Sequence, residues 1–313
     1  ILSVGDSVNL GPDGVTPYRM AGIPDGLGAY DNGDGTFTVL MNHELGATVG
    51  AVRAHGAKGA FVSKWIVDAD TLEVLHGEDL IQQVVTHDTA TGTWNAPAKG
   101  VVLNRLCSAD LPAPSALFDA ASGLGTTERL FLSGEEAGAE GRVFAHVATG
   151  ATAGTSYELP RLGKFSWENA LANPGTGAST VVAGTDDSTP GQVYLYKGTK
   201  TTDANPVVAA GLTNGTLGGI SVAGLAAESD ANVISSPTTF TVADLGDVSG
   251  RTGAQLEADS TAAGATKFAR PEDGAWDPAR PNDFYFVTTA SFGRKDDPAT
   301  PASEYTAGLS RLW

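Results

Sequence analysis

Short apolar runs alternate along the chain with polar, glycine-rich breaks, and the breaks recur in a set order. "GTFTVLMNHELG" (35–46) is followed by "GAFVSKWIVDADTLEVLHGEDL" (59–80), and "ERLFLSGEEAGAE" (128–140) by "GRVFAHVATGATAGTSYELP" (141–160). "STVVAGTDDSTP" (179–190) is followed by "GQVYLYKGTK" (191–200), and "DFYFVTTASFGRK" (283–295) by "GLSRLW" (308–313). Each unit is an apolar strand with a polar or acidic end, a loop, and a second strand that opens on glycine and alternates apolar with polar positions. That period of two predicts β-strands. The unit starts, near 35, 128, 179 and 283, are separated by one or two multiples of roughly 50 residues, the period of propeller blades. "KGVVLNRLCSADL" (99–111) and "PTTFTVADLGDV" (237–248) fill the vacant places. The pattern predicts an all-β chain forming a single β-propeller of about six blades over residues 1–313, with paired β-sandwiches as the alternative. Helical periodicity is scarce: "LPAPSALFDAASGLG" (111–125) predicts one short helix, and "SVAGLAAESDANVIS" (221–235) fits helix and strand equally.

The segments ahead of three of these strands share a second feature. "GIPDGLGAYDNGDGTF" (22–37), "FSWENALANPGTGAST" (165–180) and "ARPEDGAWDPARPNDF" (269–284) each carry an acidic residue near the start: Asp25, Glu168 and Glu272. A turn rich in Asn, Asp, Gly or Pro then leads into the next strand. In a hairpin, the start of one strand and the end of its neighbour share an edge. Asp25 is therefore expected beside Glu44, Glu168 beside Asp186 and Asp187, and Glu272 beside Thr288 to Ser291. Propeller inner strands surround one channel, so these edges converge. Strand alternation puts Asn42 and Glu44 on one face and His43 on the other. Asp273, on the face opposite Glu272, reads as a turn residue, and "DNGDG" (31–35) as a hairpin turn.

Converging carboxylates without counterions repel one another, and a bound multivalent cation removes that repulsion; an all-oxygen set suits Ca²⁺. The bulk charge agrees, with 36 acidic against 19 basic side chains and a net charge of −17. Such a surface is unsuited to nucleic acid or anionic membranes. Forty glycines and sixteen prolines are in keeping with many short strands. No apolar run reaches 18 residues, so no membrane span is expected. The single cysteine, Cys107, cannot form an internal disulfide; it is either a small buried apolar residue or a thiolate ligand. No GxSxG, HExxH or Walker loop is present, and the five histidines lack metal-ligand spacing. The strand pattern runs up to Trp313, which predicts a domain open at its C-terminus and a sheet edge able to pair with another copy.

In order, "DGLGAYDNGDGTFTVLMNHELG", "NRLCSADL", "RLFLSGEE", "LGKFSWENA", "GTDDSTPGQVYLYKG" and "FARPEDGAWDP" resemble the PhoX-type alkaline phosphatases over nearly the whole chain. The resemblance implies a propeller holding calcium and iron, which hydrolyses phosphate monoesters and is exported by bacteria. It implies Cys107 as an iron-binding thiolate and Glu44, Glu135, Glu136, Glu168, Asp186, Asp187 and Glu272 as metal ligands. It implies Arg270 as a clamp on the phosphoryl group of a small phosphate ester. Two departures stand out: Trp167 occupies the family's histidine position in "FSWE", and the tryptophan-rich segment before the glutamate pair is absent. They keep open a second reading, a non-catalytic calcium-binding propeller that serves as a surface, matrix or self-assembling protein.

Overall fold

The computed structural model describes residues 2–229, 237–289 and 310–313. Strands dominate and are grouped into four blade-like sheets with a common plan. Blade I runs outward through Pro24–Asp31, Thr36–His43, Phe61–Asp68 and Val74–Asp79. Blade II runs through Leu106–Asp110, Leu130–Glu135, Val143–Val147 and Thr155–Glu158, and Gln83–Val85 adds a parallel outer strand. Blade III runs through Trp167–Ala172, Ser179–Asp186, Val193–Thr199, Thr216–Val222 and Phe240–Gly246. Blade IV comprises Pro271–Trp276, Phe284–Thr288 and Arg311–Leu312. The architecture is that of a β-propeller.

The expected blade count is corrected. Among the described residues there are four such sheets, not about six. The two segments expected to fill vacant blades belong to blades already counted. Residues 106–110 form the inner strand of blade II, and 240–246 the outer strand of blade III. The spacing misleads because blade II is interrupted by a long excursion. Between its first and second strands the chain inserts the short helix Pro114–Leu117 and the small hairpin Phe118–Asp119/Leu124–Gly125. That helix lies in the segment where one was expected. A second helix, Gly253–Ala262, was not legible from periodicity, since Leu256 is its one large buried side chain. Its signal is the capping box, in which Thr252 and Gln255 each accept from the other's backbone N–H. Strand 283–295 is seen only as far as Thr289, and 221–235 only as far as Ser229; the remainder of both lies outside the described residues.

Apolar side chains from facing blades form the core. Leu40, Val62, Leu106, Phe131 and Phe144 pack between blades I and II. Leu132, Val143, Trp167, Val182 and Tyr194 pack between II and III. Each large side chain so buried contributes about 1.5–3 kcal/mol. Trp167 shows why its position is apolar here. It is 1% exposed and stacks on Phe165 at 3.9 Å. Gly134 provides its room, since a Cβ there would lie 2.2 Å from Trp167 Cβ. Trp167 is a core residue, and the next residue along the strand, Glu168, turns the other way. Among the described residues, no helix is long and apolar enough to cross a membrane.

Candidate metal centre

The inner strands of the four blades open in the same way. Each has a register shift against its second strand at the first turns of the ladder: Pro24/Leu27, Leu106/Ala109, Trp167/Asn169 and Pro271/Gly274. A bulge of this kind bends the strand and re-aims a side chain. The residues so placed are Asp25, Cys107, Glu168 and Glu272. Just past the end of each second strand stand Glu44, Glu136, Asp187 and Thr289. Their backbone N–H groups donate to the carbonyls of Ile23, Arg105, Ser166 and Arg270, each two residues before the bulge residue. The same local structure is thus built four times around the channel. Blade II has a thiol in place of the inner carboxylate, and blade IV a hydroxyl in place of the outer one.

The hairpin pairings expected from the sequence are present. Pro24 pairs with His43, Trp167 with Asp186, and Pro271 with Thr288. Thr289 Oγ1 donates to Glu272 Oε1 at 2.6 Å. Convergence then produces three overlapping groups whose ligand atoms all lie within 4.8 Å: Asp25–Glu44–Cys107, Cys107–Glu136–Glu168 and Glu168–Asp187–Glu272. Cys107 and Glu168 are the shared members. The thiol sits between two carboxylates, with Sγ 3.2 Å from Glu168 Oε2 and 3.6 Å from Asp25 Oδ2. Close approach of blades I and II makes this possible. Gly26 adjoins Ala109, and a Cβ on it would fall 2.3 Å from Ala109 N. Asn42 supports the cysteine from behind, donating to its carbonyl at 2.7 Å, while His43 faces away and bonds Ser63 Oγ.

Two expected ligands are not brought to the cluster. Glu135 lies on the alternate side of its strand, 3% exposed, where Arg142 Nε and Nη2 each donate to it at 2.8 Å and the Asn104 N–H at 2.9 Å. Its acceptor capacity is spent on a buried ion pair. Asp186 likewise points away and accepts from Ser188 Oγ at 2.8 Å. In both acidic pairs the alternation of the strand selects the second member, Glu136 and Asp187. Conversely, Asp273 is no ordinary turn residue. It lies in the blade IV inner strand and accepts from Ser108 Oγ of blade II at 2.9 Å and Asn169 Nδ2 of blade III at 2.7 Å. Its proximity to Glu272 made it readable as a spare charge, and the bulge between 271 and 274 is what turns it inward.

Two arginines answer part of the negative charge. Arg270 Nε lies 2.7 Å from Asp187 Oδ1, and its Nη2 lies 3.0 Å from Asp187 Oδ2 and 3.1 Å from Glu272 Oε1. Arg105 Nε and Nη2 donate to Glu44 Oε1 at 2.9 and 2.7 Å, and Nη2 also contacts Glu136. Sequence reasoning singled out Arg270 and passed over Arg105. Both have left-handed backbones, φ 63° and 49°, a conformation costing a non-glycine residue roughly 1–3 kcal/mol.

The remaining charge is uncompensated. Burial pushes Glu168 up to about 8, against the hydrogen bond from Cys107 and helped by the charges of Glu272, Asp273 and Asp187. Burial likewise raises Glu136 to about 7, opposed by Arg105 and helped by Asp187 and Glu44. Asp25 and Glu272 are raised, chiefly by burial. Burial, together with Glu168 and Asp25, drives the Cys107 thiol far above its ordinary value. Carboxylates raised in this way favour either protons or a multivalent cation between them. A set of one thiol and six carboxylates, in triads of metal-ligand span, fits oxygen-seeking calcium and, through Cys107, a transition metal.

No protein-family model matches the chain, and no curated protein matches it by sequence. Among solved structures, the fold matches "Pseudomonas fluorescens PhoX in complex with vanadate, a transition state analogue" with a TM-score of 0.61 at 12% sequence identity. The match covers 96% of this chain and 66% of the PhoX chain, so this chain spans just under two thirds of that protein's length. The likeness establishes a PhoX-like propeller fold.

Proposed function

We propose that this chain is a metal-dependent phosphatase that hydrolyses small phosphate monoesters at the channel mouth, with calcium and iron as its ions. The observation that carries the reading is the fourfold repetition just described. Asp25, Cys107, Glu168 and Glu272 occupy one structural position in four blades and converge with Glu44, Glu136 and Asp187. A purely structural role for buried charge calls for paired partners, as at Glu135 and Arg142. Here Arg105 and Arg270 answer only Glu44, Glu136, Asp187 and Glu272, while Asp25 and Glu168 meet other carboxylates and the thiol with no ion-pair partner among the described residues.

In this reading Asp25, Glu44, Cys107, Glu136, Glu168, Asp187 and Glu272 hold the ions. Bound there, the ions would polarise phosphoryl oxygens and lower the pKa of an attacking oxygen. The chain's own residues do the rest. Arg270, already anchored on Asp187 and Glu272, pairs with the phosphoryl group through its guanidinium. Asp273 ties Ser108 and Asn169 together and fixes three inner strands relative to one another. Thr289 orients Glu272 through its hydroxyl. Export by a bacterium belongs to the same reading.

The test is hydrolysis of an aryl phosphate by protein reconstituted with calcium and ferric iron, alongside its metal content. Turnover that disappears with chelator supports the reading. Bound calcium without iron and without turnover would instead favour a non-catalytic, calcium-stiffened propeller.

A further inference from the structure

The two arginines of the site are related by more than proximity. Arg105 and Arg270 each stand two residues before the bulge residue of an inner strand, in blades II and IV. Both are left-handed, whereas the equivalent residues of blades I and III, Ile23 and Ser166, are not. Each bridges the end of the preceding blade to its own: Arg105 joins Glu44 to Glu136, and Arg270 joins Asp187 to Glu272. Each makes these contacts with Nε and Nη2 and leaves Nη1 without a partner among the described residues. The two side chains remain 45% and 43% exposed although their carboxylate partners are largely covered. The triads link the two: Glu136, held by Arg105, shares a group with Glu168, and Glu168 shares the next with Asp187 and Glu272, both held by Arg270, so the two guanidiniums border one centre.

We infer that Arg105 is a second anion-binding residue, which with Arg270 holds a tetrahedral phosphoryl dianion from opposite sides of the channel mouth. This assignment rests on the phosphate-binding part of the reading above, not on hydrolysis. The side edge of each guanidinium is fixed by carboxylates, so its orientation is set before ligand arrives. Nη1 has no partner among the described residues and the side chains are exposed, so its donors are available to a ligand, and such preorganised donors bind without losing further rotamer freedom. Cation binding at the triads would draw Glu44 and Glu136 toward the ions and release more of the Arg105 fork. Two exposed guanidiniums at one centre suit a ligand with several anionic oxygens, which favours a monoester dianion over a diester monoanion.

The experiment is calorimetric titration of calcium-loaded protein with inorganic phosphate, after measuring calcium content, for the wild type, Arg105→Gln, Arg105→Lys and Arg270→Gln. Arg105→Gln should weaken phosphate binding by about 10- to 100-fold at unchanged calcium content, comparable to Arg270→Gln. Arg105→Lys should recover only part of it, since an ammonium lacks the planar fork. Phosphate affinity unchanged in Arg105→Gln, loss of calcium in that variant, or no phosphate binding by the wild type would each overturn the assignment. Should Arg105→Gln not fold, the Lys variant decides, and wild-type affinity in it overturns the assignment. Phosphate binding that depends on Arg105 in a protein that does not hydrolyse aryl phosphate would sustain this inference and defeat the hydrolase reading.

Discussion

Replacing Glu168 with glutamine should change stability in opposite directions with and without metal. Glu168 is 5% exposed, and burial among other carboxylates raises it from 4.5 to about 8. The sign follows from proton binding. Between those two values the folded protein keeps a proton that the unfolded chain releases, so folding is penalised increasingly as pH rises from 4.5 to about 8. Each pH unit in that window costs about 1.4 kcal/mol, so at pH 7 the penalty is about 3 kcal/mol. Glutamine has the same shape, keeps an oxygen to accept from Cys107 and never carries the charge. In chelator at pH 7, Glu168→Gln should therefore be more stable than the wild type by up to about 3 kcal/mol. At roughly 2 °C per kcal/mol for a chain of this length, that is a Tm increase of about 6 °C. The gain should be larger at pH 8 and absent by pH 4.5.

With saturating calcium the order should invert, because the variant has lost the ligand shared by two triads. A thousandfold weaker affinity would remove about 4.1 kcal/mol of ligand-linked stability, which outweighs the gain of about 3 kcal/mol expected in chelator. The assay is thermal unfolding followed by circular dichroism, at several pH values, in chelator and in calcium. If Glu168→Gln is less stable than the wild type in chelator at pH 7, the carboxylates are compensated by something other than an ion, and the reasoning fails.

Cys107→Ser should fold with calcium still bound but lose iron-linked absorbance and turnover; retention of both would remove the thiol from the centre. Gly26→Ala puts a Cβ 2.3 Å from Ala109 N, an overpacking that should cost about 1–3 kcal/mol and weaken calcium binding together with stability, as calcium titration and unfolding would show. Glu135→Ala strands Arg142 and should cost about 3–5 kcal/mol while leaving metal stoichiometry unchanged. A loss of bound metal in that variant would return Glu135 to the ligand set.

The hairpin argument alone placed Asp25 beside Glu44 and Glu168 beside Asp187, because strand ends sharing an edge is a local consequence of antiparallel pairing. What it missed was non-local. The inner strand of blade II is separated from its partner by residues 111–129, so Cys107 was not recognised as occupying the position held elsewhere by a carboxylate. Within the acidic pairs 135–136 and 186–187, the sequence does not reveal which member faces the channel. Strand register decides it, and Arg142 claims the other. Asp273 required knowledge of the bulge, and Arg105 required knowledge that its backbone repeats that of Arg270. The blade period was legible in spacing, yet one blade's inner strand and another's outer strand resembled blades of their own.

The central claim is that four repeated strand openings build one cation centre. Element analysis by plasma mass spectrometry of the purified protein, beside Glu168→Gln and Cys107→Ser, tests it most directly. The account predicts calcium and iron in stoichiometric amounts in the wild type, iron lost with Cys107, and both reduced with Glu168. Wild-type protein that carries neither metal, and whose Tm does not move when calcium is added, would contradict it.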